Sequence, residues 1–320
     1  MTQPEVETRH QSHPGTLTMA AFIGAVVIGG GNFIGVAFSN QELDPLYGAA
    51  LRFGVAGVCF FAITLVGGYQ VPRGRAAVGA AIYGLLGFGL AYGLLYFAID
   101  GVGAGTTSVM VASAPLATLV LAVMSGQERF TPRGVIGGLL VIVGFAVLSL
   151  DNLGAADRPV YLIAGFLGTL SIAGSSVAIK GYPQAHPVTS NAIGMTVGAI
   201  ILAAGSLIFQ EQWTLPGRGQ TWLALLWLVG FGSVGLFILF LYVIQSWTAS
   251  GAVYAVTLMP VVAIPLAALM LDEKLTLTVF AGAALVIAAV YIGALGGARS
   301  KSNVSLSRPR EAVTDSSSRA

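Results

Sequence analysis

Charge is what this chain has least of. Only 9% of its 320 residues are Asp, Glu, Lys or Arg, against about 25% in a soluble domain, while 56% are hydrophobic and the mean hydropathy is +0.84. So few charges cannot cover a water-exposed surface, and the apolar runs are long enough to cross a hydrocarbon core about 30 Å thick. The chain is therefore read as an integral membrane protein with little left over for a soluble domain. Cys59 is the sole cysteine, which excludes an intrachain disulfide. The three histidines, His10, His13 and His186, fall in a tail and a loop without helix-spaced metal partners, so neither a metal site nor a cofactor is expected. The net charge is +2, and the basic residues sit in short flanking segments without aromatic interleaving, which argues against nucleic-acid binding.

Ten apolar spans are present, at about 17–38, 45–66, 77–99, 103–124, 133–150, 161–180, 188–209, 221–244, 249–271 and 277–296. The first is too long for a signal peptide and lacks a cleavage pattern. Of the 15 Lys and Arg, Arg52 lies inside a span, Arg158, Arg218 and Lys274 fall on one side, and the remaining eleven fall on the side of the amino terminus. The positive-inside rule then puts both termini in the cytoplasm. Expected boundaries are a cytoplasmic tail over 1–16, a first unit over 17–150, a linker over 151–158, a second unit over 159–297 and a disordered Ser- and Arg-rich tail over 298–320.

The two units are copies. Pro115, Glu128, Thr131 and Gly137 reappear as Pro260, Glu273, Thr276 and Gly282, each 145 positions later. The match is best for 87–150 against 232–295. Five spans per copy invert the second copy in the membrane, an arrangement found in many transporters. The fold expected is all-α, ten transmembrane helices forming two inverted five-helix repeats around a central cavity. The 43 glycines suit it, with pairs such as Gly31 and Gly35, Gly89 and Gly93, or Gly194 and Gly198 letting helices approach closely.

The stretch AGTTSVMVASAPLATLVLAVMSGQERFTPRGVIGGLLVIVG within 103–150 combines a small-residue helix start, a mid-helix proline, a Glu-Arg turn and a Gly-rich following helix. Its second copy, ASGAVYAVTLMPVVAIPLAALMLDEKLTLTVFAGAALVIAAVYIG, has the same design, and GNFIGVAFSN followed by Pro45 and Leu51-Arg52-Phe53 precedes the first. These features resemble the EamA domain of the drug/metabolite transporter superfamily. That resemblance implies ten helices around a cavity that alternates between inward-open and outward-open states and carries small metabolites, often outward. Such families handle amino acids, nucleosides, vitamins, nucleotide sugars or toxic compounds.

Candidate site residues follow from polarity at membrane depth. Pro115 and Pro260 lie near mid-span, where each removes a backbone hydrogen bond; they are read as paired kinks that let the fourth and ninth helices bend. Arg52 and Asp100 are the charges in or near the membrane. A partner or watery cavity is expected for Arg52; a structural role, by pairing with Asp44 or Asp100 or by snorkelling, is preferred over binding a substrate carboxylate or phosphate. Tyr92, Tyr96 and Asp100 share one helix face, with Tyr92 the better cavity candidate and Tyr96 also suited to an aromatic belt. Asn32 cannot hide its amide in the helix, so it is placed at the substrate. Ser113, Ser175, Tyr254 and Thr257 complete the candidate substrate contacts, although Ser and Thr often bond their own helix. Trp247 is read as a belt residue. Glu128 and Glu273 fall on opposite membrane faces, where they orient turns. Positions that break the echo, Ser113 against Leu258, Asp100 against Gln245 and Val109 against Tyr254, are expected to set specificity.

No Asp or Glu lies near the middle of any span, so no central carboxylate is available to exchange a proton for a cationic drug. The expected function is transport of a small solute, most simply export of amino acids or related metabolites, and not enzymatic catalysis, because no nucleophile, acid/base pair or metal cluster converges at membrane depth. Import of a vitamin, nucleobase or nucleoside is the nearest rival, with drug export another. The partners expected are a small-molecule substrate and the bilayer; proton coupling and a monomeric or homodimeric state both stay open.

Overall fold

A computed structural model describes residues 15–128, 131–150, 158–246, 249–274 and 276–295. Residues 1–14 of the expected amino-terminal tail, the carboxyl-terminal tail, most of the linker, Arg129 and Trp247 lie outside the described residues, as does the side chain of Gln245, while Thr16, expected in the tail, opens the first helix. Among the described residues, ten helical rods follow in chain order: α1 Thr16–Asn40, α2 Pro45–Val66, α3 Arg75–Val102, α4 Ala104–Met124, α5 Pro132–Leu150, α6 Arg158–Ile179, α7 Pro187–Ile208, α8 219–246, α9 Ala249–Leu271 and α10 277–295. Eight contain windows long and apolar enough to span a bilayer, and α5 and α10 are shorter apolar helices. Strands are absent among the described residues.

Packing repeats across the two halves. α2 runs along α7 and α5 along α10, each helix against its own repeat mate, while α1 packs on α9 as α6 packs on the second half of α4. Likewise α3 packs on α6 as α8 packs on α1. Glycine makes the closest approaches: a Cβ on Gly137 of α5 would come within 2.8 Å of the Ala289 carbonyl on α10. In lipid such contacts replace the hydrophobic drive that a soluble core uses.

Two departures from regular helix matter for the site. Both α3 and α8 widen into π-turns, over Leu85–Leu90 and Trp227–Gly235, and the first segment falls on 230–235 when shifted by the 145-residue repeat. π-turns re-aim carbonyls that an α-helix would keep along its axis, and they recur at functional sites. The second departure is a break in α4, where Ser113 leaves the helix just before Pro115 and its hydroxyl donates to the Met110 carbonyl at 2.7 Å. Its repeat mate behaves differently, since Pro260 lies within an unbroken α9 together with Pro265.

Candidate functional site

A cavity of about 180 Å³ lies between the repeats, bounded by α1, α2, α3, α4, α6, α8 and α9. Asn32, Arg52, Tyr92 and Tyr96 supply its polar lining; Val36, Leu95, Ile99 and Met259 contribute apolar wall. The depth follows from the chain: Arg52 comes seven residues after Pro45, about 10 Å along α2. An apolar face cannot solvate a guanidinium there, so its contacts are decisive.

Arg52 is 1% exposed. Its Nε donates to the Ser233 hydroxyl and its Nη2 to the Gly232 carbonyl, each at 3.1 Å. The guanidinium carbon stands 5.0 Å from the Phe53 ring centre and 5.3 Å from that of Tyr92, distances at which ring faces attract a cation. Nη1 has no hydrogen-bond partner. The expected structural pairing is absent, because Asp44 accepts from the Gln212 amide at 2.7 Å and Asp100 is exposed. Nor does Arg52 snorkel to the headgroups, since its head turns onto α8.

Gly232 organises this corner. Its carbonyl, presented by the π-turn of α8, accepts from Arg52 and also from Nδ2 of Asn32 at 3.1 Å, and a Cβ at this position would collide with the Asn32 amide. Because a carbonyl can only accept, the amide nitrogen must face it, which leaves Oδ1 of Asn32 buried without a partner. Tyr96 is fully buried, so it is no belt residue, and its hydroxyl lies beside the Arg52 guanidinium without closing a hydrogen bond. The contribution of Gly232 and Ser233 could not be read from sequence, although a glycine-rich run inside a span was the available signal.

The remaining candidates lie elsewhere. Ser113 faces a separate apolar groove of about 480 Å³ between α4, α5 and α6. Ser175 is buried against Gly87 and bonds the Ile172 carbonyl. Tyr254 packs with Leu116, Ala289 and Val290, and Val109 with Leu148 and Ile264; Thr257 is buried and engaged within the protein. Pro115 and Pro260 flank the cavity through Ala114 and Met259, which do line it.

One end of the bundle is closed by carboxylates that cap helices from other parts of the chain. Glu273, in the turn after α9, accepts from the amides of Ala104 at 2.6 Å and Gly105 at 3.0 Å, the first turn of α4. Glu211 takes the amides of Leu46 at 3.1 Å and Tyr47 at 2.8 Å on α2. Glu42 takes those of Gly217 and Arg218 and the Thr221 hydroxyl at the start of α8, and the Thr221 bond is the main cause that holds its carboxyl below the ordinary value. Each carboxylate meets unpaired amides and the positive end of a helix dipole. Glu273 thus reaches well beyond its own turn. Glu128, its repeat mate at the other end, is exposed.

At that other end, a vestibule of about 890 Å³ lies between 68–76 and 184–186, next to a 240 Å³ cavity lined by Tyr83, Asn191 and Phe237. The rings of Tyr83, Phe88 and Tyr92 lead from there toward the central cavity, with centroids 5.3 and 6.2 Å apart. The carboxylate caps thus lie at one end of the bundle, and the vestibule with its adjoining cavity at the opposite one.

Known proteins agree with this architecture. The chain is 25% identical over 293 residues to the uncharacterized transporter YoaV of Bacillus subtilis, covering 88% of this chain and 98% of that protein. It is 26% identical to the uncharacterized inner membrane transporter YedA of Escherichia coli K12, over 86% and 90% of the two chains. A protein of the same organism named "Probable amino-acid metabolite efflux pump" is 29% identical over 85% of this chain and 92% of its own. A solved crystal structure superposes with a TM-score of 0.60 at 18% identity, covering 89% of this chain and 99% of the other, which supports the fold alone. The model of the EamA-like transporter family matches twice, over 16–150 and 159–294, and with two such repeats in one ten-helix membrane bundle the chain belongs to that family of the drug/metabolite transporter superfamily, a transporter of small solutes rather than an enzyme.

Proposed function

We propose that this transporter exports amino acids or closely related small metabolites across the cytoplasmic membrane by alternating access, with both termini in the cytoplasm. The observation that carries the reading is the central cavity, where Asn32 and Arg52 from two helices of the first repeat meet on a carbonyl of the second, and Tyr92 and Tyr96 line the same space. At about 180 Å³ it is smaller than the roughly 300–1,000 Å³ typical of sites for drug-sized ligands, which favours a small metabolite over a drug. The relative named as an amino-acid metabolite efflux pump supports the same class. In this reading the carboxylate end is the outer gate in its closed state, and the vestibule is the cytoplasmic entry. Asn32, Tyr92 and Tyr96 contact the solute, and Pro115 with the break at Ser113 supplies the hinge in α4.

The test is counterflow in proteoliposomes with a panel of labelled amino acids, nucleosides, nucleobases and vitamins. Amino acids should exchange faster than in empty vesicles, and Asn32→Ala or Tyr92→Ala should raise the apparent KM with the protein still folded. Exchange of a vitamin or nucleobase instead would favour the importer reading, and an unchanged KM in both variants would remove the proposed lining.

A further inference from the structure

We propose that the central cavity contains a carboxylate subsite, formed by Nη1 of Arg52 and the hydroxyl of Tyr96, with Oδ1 of Asn32 as acceptor for an ammonium group. The solute is then a small amino acid held at both charges. This deepens the transport reading and rests on it.

The argument starts from groups left unsatisfied. Buried polar atoms are nearly always hydrogen-bonded, so each exception calls for a cause. Three such exceptions belong to side chains lining this one cavity: two donors, Arg52 Nη1 and Tyr96 Oη, and one acceptor, Asn32 Oδ1. Both donors belong to side chains that are almost wholly buried, at 1% and 0% exposure.

The partners that Arg52 does have are neutral: a hydroxyl, a carbonyl and two ring faces. They orient the guanidinium without cancelling its charge, and among the described residues no carboxylate pairs with it. A charge held at this depth without a counter-ion is costly. A carboxylate entering the cavity removes that cost, and the planar guanidinium matches its geometry better than an ammonium would.

On the same carbonyl that Arg52 uses, Asn32 is locked with its oxygen unpaired because Gly232 holds its nitrogen. One cationic donor, one neutral donor and a neutral acceptor within one small cavity complement a zwitterion. A phosphate dianion would find a single cation and too few donors, and the apolar wall of Val36, Leu95, Ile99 and Met259 limits the size of the solute's side chain.

The experiment measures affinity of the purified protein, by thermal shift and by counterflow, for L-alanine and L-threonine, their carboxamides, acetate and inorganic phosphate. The wild type should favour each acid over its amide at least tenfold. Arg52→Gln should abolish that preference. Tyr96→Phe should weaken acid binding about tenfold, as loss of a hydrogen bond to a charged group does, while leaving the melting temperature of the free protein unchanged; this variant decides the matter if Arg52→Gln does not fold. Asn32→Ala should weaken alanine but not acetate. Equal exchange of acids and amides by the wild type would overturn the subsite and leave the transporter standing, whereas exchange of no panel solute would overturn both. Stronger competition by phosphate than by acetate would overturn the carboxylate class.

Discussion

Replacing Glu273 by alanine removes the acceptor for two amides at the start of α4, Ala104 at 2.6 Å and Gly105 at 3.0 Å. Hydrogen bonds to charged groups contribute about 1.5–3 kcal/mol, and loss of a helix cap costs about 0.5–2 kcal/mol. The two figures describe overlapping interactions, so a combined loss of about 2–3 kcal/mol is expected. At about 2–3 °C per kcal/mol for a chain of this size, the purified protein should melt roughly 4–9 °C lower, read by intrinsic fluorescence or by the temperature at which half the protein aggregates. The internal control is Glu128, which holds the same place in the first repeat but is exposed. Glu128→Ala should stay within about 0.5 kcal/mol of the parent, as surface substitutions do. Glu273→Gln should not rescue, because its amide group would set a donor against a donor and remove the charge. Equal shifts for the two alanine variants, or a shift below about 1 °C for Glu273→Ala, would refute the cross-repeat cap.

Gly103 has φ +86°, and a Cβ there would stand 2.8 Å from the Glu273 carboxylate; Gly103→Ala should therefore destabilise by at least about 1 kcal/mol, measured in the same melting assay. Glu42 titrates below the ordinary carboxylate value, so its contribution is complete above the unfolded value and is lost as pH falls through the lower folded one. A pH series of melting temperatures should accordingly show a loss on acidification that Glu42→Gln flattens. Pro115→Ala restores an amide donor at the α4 break and should slow counterflow several-fold with little change in solute affinity, whereas Pro260→Ala, within an unbroken helix, should slow it less.

Much of the bundle was legible as sequence because lipid imposes a simple rule. Every backbone group in a span must be satisfied within its own helix, so apolar length alone located ten rods whose ends agree with the observed helices to within a few residues. The duplication was legible for a related reason, since both copies fold in the same solvent and keep the same turn residues. Asn32, Arg52 and Tyr92 stood out as polar groups at depth, and the structure brings them together. Ser175 and Tyr254 stood out by the same criterion yet pack against neighbouring helices, because composition does not reveal the rotation of a helix that is apolar all round. The paired prolines were equally visible, but not that only one of them breaks its helix.

What the sequence by itself determined is the solvent, the number of crossings, the duplication and, from these, a transporter of inverted repeats; each rests on hydropathy or identity along the chain, which need no knowledge of contacts. Only the tertiary structure decided that Arg52 turns onto a π-turn carbonyl instead of pairing with Asp44 or Asp100, that Tyr96 is buried beside it, and that Glu42, Glu211 and Glu273 cap helices distant in the sequence. Those contacts join residues more than a hundred positions apart in most cases, and their partners are backbone amides and carbonyls, which every residue possesses and which therefore leave no mark in the sequence.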